Sequence, residues 1–142
     1  MPKGQSLVLQ FVLFFMIGLG LFAIIGNFFK SYSDVLREDI ASKARELLNS
    51  YFSSFSLVLV NSCKECSYFE VKIDIENTTA DYYHQISLSS LGLNVISQPG
   101  GKNFLTSMHN LNSTYSLSGI ATSTKTIIFR YIKNQNKIEV KS

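Results

Sequence analysis

Between Lys3 and Lys30 the chain carries no charged side chain. Within that stretch, residues 7–29 are apolar apart from glycines, Gln10 and Asn27. A helix of this length extends about 35 Å, enough to cross a hydrocarbon layer of about 30 Å. A helix that buries one side against a soluble core keeps a polar face, and this one has none. Residues 7–29 therefore read as a membrane span, or as one member of an equally apolar helix bundle. A secretory signal peptide has a shorter apolar region, about 7–15 residues, closed by small residues at a cleavage site. Here the run closes on Gly26-Asn27-Phe28-Phe29-Lys30, which offers no such site, so the run is expected to stay. Its flanks do not orient it. Lys3 and the α-amino group precede it, and Lys30, Asp34 and Arg37 follow it, so the bias of positive charge toward the cytoplasm is undecided.

Small residues recur at spacing three in this run, at Gly20, Ala23 and Gly26. Such residues let a second helix approach closely in lipid. Phe11, Phe15, Phe22 and Phe29 recur at four and seven on another side. The pattern fits a helix packed against copies of itself, and equally lipid-facing bulk with incidental glycines.

Residues 31–62 read as further helix, amphipathic, with no proline between residues 3 and 98. Leu36, Ile40, Ala44, Leu47, Tyr51, Phe55 and Val58 form an apolar stripe at helical spacing. Arg45, Asn49 and Ser53 lie off it. The stripe is expected to pack on a sheet built from residues 63–142. There, Ser67–Glu76 alternates apolar and polar residues as a half-buried strand does. Asn77–Asp81 reads as a turn, and Tyr82–Ser97 as one or two strands. Pro99-Gly100-Gly101 is a turn signal, and Lys125–Ile132 with Lys137–Lys141 forms a terminal hairpin. The expected class is α+β: a long N-terminal helix on an antiparallel sheet or small sandwich.

Cys63 and Cys66 are the only cysteines and stand at the junction of helix and first strand. In an oxidising compartment they form a small clip. A redox pair of this spacing normally opens a helix after a strand, and the context here is reversed. A metal site would have to recruit His84 and His109, which are too far apart for the usual histidine spacing. Asn77-Thr78-Thr79 and Asn112-Ser113-Thr114 fit the N-glycosylation pattern, and both fall in expected loops. Taken together, these features favour an inside N-terminus and an outside sheet domain. Net charge is only +3, with six basic and nine acidic residues over 30–81 and six basic and one acidic over 82–142. Charge complementarity between copies would suit this layout, as would a solvated basic sheet face, and neither makes a nucleic-acid footprint. No phosphate loop, nucleophile elbow or framed carboxylate pair is present in the sequence. No enzymatic activity, cofactor or metal is expected.

The short leader Lys3-Gly4-Gln5-Ser6, the uncleaved apolar helix and the β domain behind it resemble archaeal type IV pilin-like proteins. The resemblance implies a prepilin leader, residues 1–4, cut by a membrane prepilin peptidase between Gly4 and Gln5. It implies an assembly helix over 5–30, a tethering helix over 31–62 and an extracellular domain over 63–142. Its partners would be the membrane, copies of itself or other pilins, the peptidase and the pilus assembly machinery. Many pilins carry glutamate at the fifth residue after the cut, where this chain has Leu9. The other function considered is a membrane-anchored extracellular binding or scaffold domain that does not polymerise. A third is a thiol-active enzyme using Cys63 or Cys66.

Overall fold

The structure, a computed structural model, describes residues 3–63 and 65–142, with the backbone alone for residues 3–6. The expected leader, Met1–Gly4, therefore extends outside the described residues, and the side chain of Gln5 is not described. One helix, α1 (Lys3–Ser62), is followed by β1 (Tyr68–Ile73), β2 (Tyr83–Ser89), β3 (Gly92–Gln98), β4 (Lys102–Thr106), the short α2 (His109–Asn112), β5 (Ser116–Thr122), β6 (Ile127–Ile132) and β7 (Lys137–Lys141). The chain divides into two compact units, Met1–Arg37 and Glu38–Ser142.

The first unit is helical, and every side chain from Leu7 to Arg37 is exposed. The leucines and methionine favour helix, no proline interrupts it, and in an apolar setting a helix satisfies the backbone hydrogen bonds that the phenylalanines, valines and glycines alone would not secure. The helix is long and apolar enough to cross a membrane.

In the second unit the seven strands form one sheet in the order β1-β6-β7-β5-β2-β3-β4. All neighbours are antiparallel except β5 and β7. One face of the sheet is apolar by period-two alternation: Ile86 and Leu88, Leu93 and Val95, Leu117 and Ala121, Ile127, Phe129 and Tyr131, Ile138 and Val140 are all buried. Phe52 of α1 stacks on Phe129 of β6, with ring centroids 5.3 Å apart, and Phe55 meets the same ring edge-on. Burying a side chain of this size stabilises the fold by about 1.5–3 kcal/mol. The architecture is α+β, with one mostly antiparallel sheet.

The face of α1 that meets the sheet is not the expected one. Leu36, Ile40, Leu47, Tyr51 and Val58 are exposed, while Ala44 and Phe55 are half-buried. The buried stripe is Ala41, Arg45, Asn49, Phe52, Ser56 and Leu59, continued by Cys63. Its spacing of three or four is helical, but three of its members are polar. Polar groups can be buried once their hydrogen bonds are made, and these are. Asn49 Nδ2 donates to the carbonyls of Leu93 and Phe104, and Ser56 Oγ donates to the carbonyl of Phe52.

Two strands and α2 were absent from the sequence reading. β4 (Lys102–Thr106) is a short, largely exposed edge strand, so it lacks the apolar alternation of a half-buried one. β5 runs through Gly119, which has φ +114°. A Cβ there would fall 1.9 Å from the carbonyl oxygen of Val140, so glycine is what allows β5 and β7 to lie side by side.

Candidate functional site

Two surfaces of α1 remain uncovered, one in each unit. In the first unit Phe11, Phe14, Phe15 and Leu19 surround Gly18 and line an apolar groove of about 430 Å³. The expected packing positions Gly20 and Gly26 have open space where a Cβ would be, and Ala23 is exposed between them. Phe11 and Phe22 are among the most exposed side chains, at 72% and 77%. In water such a surface is unfavourable by about 25 cal/mol per Å² of apolar area, which lipid or other apolar helices would relieve.

In the second unit the uncovered surface is the stripe Ile40, Leu47, Tyr51 and Val58. Leu47 is 70% exposed and Val58 58%. The sheet is held by the other side of the same helix, and the stripe touches the core only at its margin, where Tyr51 meets the rings of Phe52 and Phe55 and Leu47 borders the cavity beside His84. Lys43, Ser50 and Ser54 are exposed on the same helix, and Lys43 pairs with Glu46 at 3.7 Å. The surface can bury area against an apolar partner.

The buried side of α1 carries the charged anchor of the domain. Arg45, 5% exposed, donates from Nη2 to Glu38 Oε1 at 2.9 Å and from Nη1 to Ser97 Oγ at 3.0 Å. Lys102 Nζ lies 3.0 Å from the same Glu38 oxygen. The hydrogen bond from Arg45, then that from Lys102, hold the Glu38 carboxyl below its ordinary pKa. On the outer face of the sheet Glu70 of β1 pairs with Arg130 of β6 at 2.6 Å. Tyr68 donates to Glu70 as well, and this bond, followed by that from Arg130, lowers the Glu70 pKa.

The remaining sequence candidates are separated. Cys63 and Cys66 are joined in a disulfide with Cα atoms 5.1 Å apart, at the end of α1. His84 is buried at the start of β2, and His109 is exposed on α2. Among the described residues no group of three or more histidine, cysteine, aspartate or glutamate side chains is placed to hold a metal ion. Asn77 is exposed in the loop after β1, where its carbonyl accepts from Ser123 Oγ at 2.6 Å and its side chain is left outside. Asn112 is half-buried, and its Nδ2 donates to the carbonyl of Ser90. A glycan on that nitrogen would leave it a single N–H for this bond and would crowd the sugar against the backbone of Ser90. In a host that performs N-glycosylation, peptide mass spectrometry is therefore expected to find glycan on Asn77 and little on Asn112. Equal occupancy at the two sites would contradict this.

Sequence reasoning did not single out Arg45, Asn49 or Ser97, the polar residues that dock α1. Their signal is present as a second stripe at helical spacing, Ala41-Arg45-Asn49-Phe52-Ser56-Leu59, hidden because a search for apolar periodicity passes over it. No family model, no curated protein and no solved structure matches the chain.

Proposed function

We propose that the chain is a structural subunit of a type IV pilus-like surface filament, anchored in the membrane by residues 7–29 before assembly and held by the same helix afterwards. One observation carries this reading: α1 presents apolar surface that its own sheet domain does not use, in both the charge-free segment and the stripe Ile40, Leu47, Tyr51 and Val58. A plain anchor has reason to be apolar within the bilayer and none to continue an exposed apolar stripe along the helix that carries the domain. A helix with no internal charge also avoids a desolvation cost in lipid and among neighbouring helices alike. Roles in adhesion, motility or DNA uptake follow for a filament of this kind, with the sheet domain outside the cell. The competing function is a membrane-anchored extracellular binding domain that remains monomeric.

Processing tests the reading. Intact-mass measurement of the chain from membranes containing an active prepilin peptidase is expected to show loss of residues 1–4 and a new N-terminus at Gln5. A chain that keeps residues 1–4 under those conditions would remove the basis for assigning it to this class.

A further inference from the structure

A row of polar side chains runs from α1 through β3 to β2 inside the second unit. Arg45 Nη1 donates to Ser97 Oγ, and Ser97 Oγ lies 3.1 Å from His84 Nδ1. Ser97 and His84 are each 1% exposed. A guanidinium has no acceptor, so the Ser97 oxygen accepts from Arg45 and its hydroxyl hydrogen points at His84. That pairing makes Nδ1 the acceptor and places the proton of the neutral ring on Nε2, since an Nδ1–H ring would leave the Ser97 hydrogen without an acceptor among the described residues. Nε2 is buried and has no hydrogen-bond partner among the described residues. The ring lines a cavity of about 260 Å³ with Ala44, Leu47 and Leu48 of α1 and with Ile75, Glu76 and Thr79 of the segment after β1.

We propose that His84 is a proton-operated latch: protonation of its ring breaks the Arg45–Ser97–His84 row and releases the helix around Arg45 from β3. A protonated ring carries hydrogen on both nitrogens. Its Nδ1–H would then point at a serine oxygen already used by Arg45, and the serine hydrogen would lose its acceptor. Two cations would share one buried hydroxyl. The charged groups around the ring do not relieve this. Arg45 faces it from α1 with the same sign. Glu38, at the far end of the row, is engaged by Arg45 and Lys102. Glu76 lines the cavity from the segment after β1, but it is exposed and makes no hydrogen bond to the ring.

Burial first, then the Arg45 charge, hold the His84 pKa below its ordinary value of 6.5. The unfolded or released chain therefore binds the proton first. The latch is fully closed above that ordinary value and opens as pH falls from there through the lowered value of the folded state. Glu38, whose pKa is held below its ordinary value of 4.5, stays ionised from 6.5 down to that value, so a response in that range belongs to His84.

The test uses the full-length chain in detergent micelles. Imidazole ¹H–¹⁵N spectra at pH 7.5 are expected to show the Nε2–H form of His84, titrating below the ordinary histidine value. Amide hydrogen exchange over Arg45–Phe52, corrected for the intrinsic pH dependence, is expected to lose protection within the window by up to about tenfold for each pH unit, the limit for one titrating group. The variant His84→Asn keeps an acceptor near the Nδ1 position and does not titrate, so its protection should not change with pH. An Nδ1–H tautomer, an unshifted titration, or a pH response retained in the variant would each overturn the latch. If the variant fails to fold, the spectra and exchange of the unaltered chain decide the matter.

Discussion

Replacing Leu47 and Tyr51 together by aspartate is expected to abolish self-association while leaving the sheet domain folded. Both side chains are at least half exposed, and neither belongs to the core cluster around Phe52 and Phe129. Tyr51 rests against the rings of Phe52 and Phe55 and Leu47 borders the cavity beside His84, so the pair is expected to lower the stability of the domain by about 1 kcal/mol without unfolding it. In a helix bundle the same positions would face apolar neighbours, and each carboxylate would have to be buried unpaired, at a cost of several kcal/mol. Repeated along a filament, that cost removes assembly altogether. Sedimentation or electron microscopy of assembled material, alongside thermal unfolding of the sheet domain, separates the two effects. Filaments that form normally from the double variant would show that this stripe is not an assembly surface.

The substitution Gly119→Ala is expected to destabilise the sheet domain by about 3 kcal/mol. Gly119 has φ +114°, a region that L side chains rarely adopt, and the added Cβ would meet the Val140 carbonyl oxygen at 1.9 Å. The obstacle is backbone, not the movable end of a side chain. β5 and β7 form the one parallel pair, and they join the β1-β6-β7 half of the sheet to the β2-β3-β4 half. Separating them opens the domain at its centre. Chemical denaturation of the variant beside the unaltered chain measures the effect, and a loss below 1 kcal/mol would mean that the strands can shift to accommodate a methyl group.

Much of this arrangement is legible in the sequence because it follows from strong, local signals. The charge-free run over residues 7–29 and the alternation of Phe69, Val71 and Ile73 each admit few structures. The terminal hairpin is equally direct: Arg130 lies opposite Glu139 in the register of β6 and β7. The misreading of α1 has a specific cause. The helix carries two stripes at helical spacing, and the more apolar of them was assigned to the sheet. The sheet took the other because Asn49 can reach the carbonyls of Leu93 and Phe104 and Arg45 can reach Ser97, partners on strands 44 to 55 residues further along the chain. No local pattern reports such partners. β4 and β5 were missed for a similar reason. An edge strand and a strand that carries a glycine at its centre depend on neighbours that only the assembled sheet supplies. Among the described residues, the expected packing positions Gly20 and Gly26 face open space and Ala23 is exposed, and such a helix looks the same whether it serves as anchor or assembly surface.

The central claim is that this helix builds a filament. Antibody raised against the sheet domain, applied to intact cells producing the chain and viewed by electron microscopy, addresses it most directly. The account predicts label along surface filaments, lost when Leu47 and Tyr51 are both aspartate. Label confined to the cell envelope, with no filament carrying it, would contradict the account and leave a membrane-anchored binding domain in its place.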